Sequence, residues 1–307
     1  MLDLTISIVN HGHRELVDAL LASILAHTHT ISYEVFVVNN LVGDGSADML
    51  ASRFPWVKVL NNPQPLGFAA NNNQVLRLGG GRYTVLLNDD MVLVNDALNH
   101  MVAFMDANAS AGAVGCKLLN PDGTLQRSCW RGFPSAKTLS VDLFYLSKWL
   151  PWLSLVQDFE ATFQSTEPVD VDYVLGACLL VRREVILQVG MLDESFGMFL
   201  EETDWCYRIR GTGWRICWTP DGEIIHYGQQ SVSRDPVRYM PMLYQNYCKF
   251  GRKHGRHRLS IISLKVTIAL GALFRALVWS RRLVAGIPDS RAMVRGYIAA
   301  FLATPTF

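Results

Sequence analysis

Charge is scarce in this chain. Only 18% of its 307 residues are Asp, Glu, Lys or Arg, against 50% hydrophobic residues, which excludes an intrinsically disordered polymer. The six cysteines, Cys116, Cys129, Cys178, Cys206, Cys217 and Cys248, form no Cys-x-x-Cys pair and no short regular spacing. A disulfide framework or zinc site is therefore not expected, and reduced thiols in a cytosolic setting fit better. Met1-Leu2-Asp3-Leu4 lacks a basic stretch, and the apolar run behind it ends at Asn10, so no signal peptide is expected. A Gly-x-Gly-x-x-Gly turn after a strand is also missing. Leu78-Gly79-Gly80-Gly81 precedes a strand instead, which argues against a nicotinamide-dependent oxidoreductase.

What charge there is falls into two blocks. The formal sum is +1. Residues 249–307 hold eleven basic residues and one acid, Asp289, a net of +10, while residues 1–248 hold 17 basic and 26 acidic residues, a net of −9. An acidic body suits cations or catalytic carboxylates, and a basic tail suits phosphate-bearing partners, nucleic acid or an anionic membrane.

Apolar, β-branched runs at 4–9, 33–38, 57–60 and 83–87 read as strands. Helical patterns at about 15–26 and 71–78 lie between them. This alternation predicts an α/β fold with a mostly parallel sheet, and ligands then gather at the carboxyl ends of the strands. Residues 171–181 read as a further strand, and 191–210 as a loop entering a helix. The aromatic segment 141–156 is too short and interrupted to span a bilayer. The run 261–279 is nearly long enough, but Lys265 and Arg275 interrupt it. At about 100° per residue, Ser263, Thr267, Gly271, Arg275, Arg281 and Arg282 share roughly a third of the circumference. Such a stripe beside a wide apolar face reads as an interfacial helix, with a core helix or a transmembrane span as the alternatives. The long apolar face argues for lipid rather than nucleic acid as the partner of the tail.

Three places carry chemistry. Asn88-Asp89-Asp90 follows a strand, where hard oxygen ligands suit Mg²⁺ or Mn²⁺ bridging two phosphates, although Asp and Asn also serve as turn and cap residues. Glu201-Glu202-Thr203-Asp204 crowds three carboxylates into four positions; one of them is a candidate base, or the cluster is a solvated helix start. His226 follows a strand-like run and is either a buried hydrogen-bonded imidazole or a ligand for a divalent cation.

The order of the motifs is more specific than any one of them. Ser7-Ile8-Val9-Asn10, Glu34-Val35-Phe36-Val37-Val38-Asn39-Asn40 with Asp44-Gly45-Ser46, and Gly67-Phe68-Ala69 with Asn72-Asn73 come first. Leu86-Leu87-Asn88-Asp89-Asp90, Asp122-Gly123-Thr124-Leu125-Gln126, Gly176-Ala177 with Arg182-Arg183, Gly190 to Phe196, Glu201 to Asp204 and His226 follow. Over residues 4–250 this series resembles glycosyltransferase family 2, especially its bacterial rhamnosyltransferase branch. The resemblance implies a GT-A fold and inverting transfer from a nucleotide-diphosphate sugar, dTDP-rhamnose favoured over UDP-sugars. It also implies an acceptor that is a glycan or a lipid-diphosphate-linked sugar of cell-surface polysaccharide assembly. It implies a domain over 1–250, with a nucleotide-sugar half to about 120 and an acceptor half beyond, followed by a basic helical tail over 251–307. That tail would dock the protein at the inner face of the plasma membrane.

By motif position the resemblance makes Asp90, Asn88 and His226 ligands of Mg²⁺ or Mn²⁺, Glu202 the base, and Asp204 a residue that positions the acceptor or orients its region. Asn10, Asn39, Asn40, Asn72 and Asp89 would hold the nucleotide sugar, and Glu201 and Trp205 would meet the acceptor. Three residues depart from the family pattern. Asn39 and Asn88 stand where it has Asp, which removes charge assistance and one negative charge, and Glu202 is longer than Asp by one methylene. An impaired nucleotide-sugar-binding paralogue is the alternative reading.

Overall fold

A computed structural model of the chain describes residues 2–41, 43–153, 156, 163–228 and 235–307. Residues 154 and 155 of the aromatic segment lie outside this set. The chain forms two compact units. One comprises 1–131, 165–197 and 201–228; the other comprises 132–164, 198–200 and 229–307. Position 250, the expected end of the first domain, lies inside the continuous helix Pro236–Lys253.

The first unit is built on one large sheet and a separate short ribbon. Its strands include β1 (Leu4–Asn10), β2 (Tyr33–Asn39), β3 (Lys58–Asn61), β4 (Tyr83–Asn88), β5 (Met91–Leu93) and β6 (Ala111–Leu119). Two short strands, β7 (Trp130–Arg131) and β8 (Val169–Asp170), precede β9 (Tyr173–Val174), β10 (Cys178–Arg182) and β11 (Arg215–His226). The order is β3-β2-β1-β4-β10-β6-β11-β5, with β8 pairing β11. Every residue of β1 is buried, as a central strand covered on both faces requires.

The expected parallel pairing holds for β3-β2-β1-β4 and for β6 with β11. β10, however, lies antiparallel between β4 and β6, so the sheet is mixed. The single strand expected over 171–181 is broken by a turn in which the Cys178 N–H donates to Leu175 O. Its first half, β9, pairs with β7 in a separate ribbon. Register places Asn10, Asn39 and Asn61 side by side at the carboxyl ends of β1, β2 and β3.

The second unit is helical. Ala136–Leu143, opened by a Ser135 capping box, packs with Pro236–Lys253, Arg258–Val284 and Ser290–Ala303. Leu139, Leu143, Tyr244, Leu264, Ile268 and Tyr297 are among the residues of its core. The 27-residue helix Arg258–Val284 is long and apolar enough to cross a bilayer by length and composition. It buries Ile261, Leu264, Ile268, Gly271, Ala272 and Ala276. Leu259, Ile262, Val266, Leu270, Leu273, Leu277 and Val284 are exposed, and they share an arc of about 80° on the opposite side.

The basic stripe expected on this helix is corrected at its centre. A Cβ on Gly271 would lie 2.5 Å from Leu143 Cδ1. Arg275 Nη2 donates to Asp142 O at 2.6 Å, and its guanidinium stacks 3.6 Å over the Tyr145 ring. Close helix contact needs the small residue, and the partly buried guanidinium needs a carbonyl. This part of the stripe therefore faces protein.

Candidate active site

The strand ends carry a lattice of amides. Asn10 Nδ2 donates to Asn39 Oδ1 at 3.0 Å, and Asn39 Nδ2 donates to Asn61 Oδ1 at 2.9 Å. Asn10 Oδ1 accepts the N–H groups of Gly12 and His13, both at 3.0 Å. It thereby folds the loop after β1, with Gly12 at φ +85°. Asn10 and Asn39 are buried, and Asn61 at the edge is exposed, so the lattice forms a floor at the strand ends.

Asn40 and Asn72, expected to hold the nucleotide sugar, also make internal bonds. Asn40 spends its side chain on Leu66, accepting the N–H at 2.7 Å and donating to the carbonyl at 2.9 Å. Asn72 accepts from Ser7 Oγ at 2.7 Å and donates to Phe68 O at 3.0 Å. Both are buried, so each straps a helix or loop to the sheet. Asp89 also works inward: Oδ2 accepts the His11 N–H at 3.0 Å and meets His13 Nδ1 at 3.0 Å. It ties the end of β4 to the loop after β1. Nothing in the residue types of that loop marked His13 for this role.

The turn after β4 leads into β5, which pairs antiparallel with β11 so that His226 lies opposite Met91. This topology brings together Asn88, Asp90 and His226, 138 positions apart in the chain between Asn88 and His226. His226 Nε2 lies 3.3 Å from Asp90 Oδ1 and 3.4 Å from Asn88 Nδ2. Its Nδ1 is 2.7 Å from Gln126 Oε1. Burial pushes the Asp90 carboxyl up, but the neighbouring His226 more than offsets this and holds it below the usual carboxylate range.

Among the described residues, Asp90 Oδ1 is buried without a well-directed hydrogen bond. A carboxylate oxygen, an imidazole nitrogen and an amide fit a divalent cation. No cluster of three His, Cys, Asp or Glu side chains that could hold one is present among the described residues. Diphosphate oxygens or water are needed to complete such a site, as Mg²⁺ coordination ordinarily uses.

Glu202 occupies the first turn of the Glu201–Gly211 helix. Burial pushes its carboxyl up to about 7, against the N–H groups of Glu202, Thr203 and Gly176, which hold it down. The residue keeps an edge on solvent. Gly176 makes room for it: a Cβ there would sit 3.2 Å from Glu202 Cβ and 3.5 Å from Phe68 Cε1. The next residue, Ala177, accepts the Asn88 N–H at 2.9 Å. One dipeptide, Gly176-Ala177, therefore contacts both the Glu202 carboxylate and the end of β4.

The rest of the acidic motif points into the protein. Asp204 is fully buried and meets Arg208 Nε at 2.9 Å. Arg208 in turn donates to Val189 O and Met191 O, so the pair fastens the preceding loop to the helix. Trp205 is fully buried, with its indole N–H on Gly190 O at 2.8 Å, and Glu201 is buried as well. Asp204, expected to position the acceptor or orient its region, and Glu201 and Trp205, expected to meet the acceptor, lie on the inward face of the helix, and Glu202 is left at its edge. Gln126 also belongs to the constellation. Its place in the Asp122–Gln126 motif was visible in the sequence, but its partner was not.

A sheet of this order, with amide-lined strand ends and an acidic turn at its centre, has the GT-A architecture. The mannosyltransferase PcManGT from Pyrobaculum calidifontis, in complex with GDP-Man and Mn²⁺, matches it with a TM-score of 0.60 over 100% of this chain and 88% of that one, at 15% identity. The chain belongs to the family described as glycosyltransferase like family 2, whose profile matches residues 3–237. It is 29% identical over 219 residues to the N-acetylglucosaminyl-diphospho-decaprenol L-rhamnosyltransferase of Mycobacterium tuberculosis, covering 67% of this chain and 70% of that protein. It is 30% identical over 245 residues to protein y4gI of Sinorhizobium fredii, matching 75% of this chain but spanning only 25% of that longer relative.

Proposed function

We propose that the protein is an inverting glycosyltransferase that moves a sugar from a nucleotide-diphosphate donor, dTDP-rhamnose favoured over a UDP-sugar, to a glycan or lipid-diphosphate-linked acceptor. The observation that carries this reading is the Gly176-Ala177 dipeptide, which contacts both Glu202 and the strand end bearing Asn88 and Asp90. Base and leaving-group machinery must be held together for a single displacement. In that step the acceptor oxygen bonds to the anomeric carbon as the bond to the diphosphate breaks. The electron pair leaves on the diphosphate, and the hydroxyl proton passes to Glu202.

Asp90, His226 and Asn88 would hold Mg²⁺ or Mn²⁺, and the bound ion would supply charge neutralisation of the diphosphate. Asn10 and Asn39 support the donor side of the crevice. With neutral amides in place of a carboxylate, this floor favours a nucleobase through hydrogen bonds without charge assistance.

The location proposed is the inner face of the plasma membrane. The exposed apolar arc of Arg258–Val284 and the basic excess of residues 249–307 support it, since acyl chains take the one and anionic headgroups the other. Trp149 and Trp152, both exposed, add interfacial anchors.

Transfer assayed with dTDP-rhamnose and UDP-sugars, in Mn²⁺ and in chelator, tests the reading. Chelator-sensitive transfer that is lost in Glu202→Gln is expected. Donor binding without transfer to any acceptor would instead favour the impaired paralogue, a reading motivated by Asn39, Asn88 and Glu202.

A further inference from the structure

We infer that Gln126 is a positioning residue that fixes the ring of His226 as the tautomer protonated at Nδ1, with the lone pair of Nε2 turned toward Asp90 and Asn88. The Gln126 contact fixes a proton on Nδ1; the 3.3 Å contact of Nε2 with Asp90 Oδ1 takes a second proton only in the imidazolium form, so the Nε2 lone pair is available whenever the ring is neutral. An amide oxygen can only accept, so the 2.7 Å contact between Gln126 Oε1 and His226 Nδ1 requires the hydrogen on Nδ1. Reversing the Gln126 amide is unfavourable. Its Nε2 faces two acceptors, Asn120 Oδ1 at 3.4 Å and His226 O at 3.5 Å, and a reversed amide would set oxygen against both. Gln126 and His226 are both buried, so water does not readily substitute for either partner.

The backbone is shaped to hold this pair. The Gln126 N–H donates to Leu118 O at 2.8 Å, and Gln126 O accepts the Cys129 N–H at 3.1 Å. Gly228, at φ +40°, lets the chain close over the pair: a Cβ there would come within 3.1 Å of Gln126 Nε2 and 3.3 Å of His226 Nδ1. On the far side of the ring, Asn88 Nδ2 lies 3.4 Å from Nε2 and can donate to its lone pair. A ligating imidazole needs that lone pair, and the partner of its other nitrogen orients the ring and selects the tautomer. A neutral amide does so without adding charge beside Asp90.

The tautomer stands on hydrogen-bond geometry alone; its use in holding a cation rests on the function proposed above. Long-range ¹H–¹⁵N correlation of the ¹⁵N-His full chain, free of metal at fixed pH, reads it directly, with His226→Gln assigning the signal. An Nδ1–H pattern for His226 is expected, and an Nε2–H pattern overturns the inference. Gln126→Leu should lose the Nδ1–H pattern, while Gln126→Glu, which also accepts, should keep it; an unchanged tautomer in the Leu variant also overturns it. If Mn²⁺ binds, electron paramagnetic resonance of the free ion should show affinity falling about 10- to 100-fold in Gln126→Leu and retained in Gln126→Glu. A wild-type Nδ1–H tautomer lost in the Leu variant supports the positioning role even if no Mn²⁺ binds, and that failure would count against the metal reading alone.

Discussion

Glu202→Gln should abolish transfer and at the same time stabilise the protein above neutral pH. Burial pushes the Glu202 carboxyl from its ordinary 4.5 to about 7, so the folded chain retains a proton that the unfolded chain has released between those values. Wherever the native state binds more protons, stability falls as pH rises. The loss begins near the unfolded value and is complete above about 7. Each factor of ten in proton affinity is about 1.4 kcal/mol, so the buried carboxylate costs on the order of 3 kcal/mol at alkaline pH. Glutamine has nearly the same shape, can still accept the N–H of Gly176, and has no charge to desolvate.

Thermal unfolding of both proteins at about pH 4 and about pH 9 checks this. The curves should nearly coincide in acid, where both side chains are neutral. In base the Gln variant should melt higher by several degrees, since about 1 kcal/mol corresponds to roughly 2–4 °C in a domain of this size class. The wild-type kcat/KM should rise with pH to a plateau above about 7, because the base must be deprotonated to accept a proton. An equal difference in melting temperature at both pH values, or a Gln variant less stable in base, would refute the reasoning.

Gly176→Ala places a methyl 3.2 Å from Glu202 Cβ, so kcat should fall about tenfold or more with donor KM little changed, measured by steady-state transfer. Asp204→Ala leaves the Arg208 guanidinium partly buried without this carboxylate partner, and denaturant unfolding should show a loss of about 3 kcal/mol. Gly271→Ala forces a methyl onto Leu143 and should cost about 1–3 kcal/mol by the same measurement. Leu270→Glu with Leu277→Glu changes only the exposed arc; cosedimentation with anionic vesicles should fall severalfold while the melting temperature holds, and unchanged binding would remove that arc as the docking surface.

The alternation of apolar runs with helical stretches was enough to place β1, β2 and β4 and the loops at their carboxyl ends, because strands buried on both faces leave continuous β-branched runs. The order of the Asn, Asp, Glu and His motifs was enough to indicate the family, since each sits at a strand end or a helix start that the backbone itself marks. Side-chain direction was not in that pattern. Glu202 and Asp204 are two residues apart, yet one keeps an edge on solvent and the other is buried on Arg208, because two residues on a helix are about 200° apart. Asn40 and Asn72 read as ligand-facing amides, and their bonds to Leu66, Ser7 and Phe68 were not in the pattern, because a buried amide finds partners wherever the fold supplies them. The contact between His226 and Gln126 spans 100 positions, and the inward turn of Gly271 and Arg275 depended on a helix that begins 122 residues before Arg258. Such pairings are set by which elements come to lie together, and only the tertiary structure decides that.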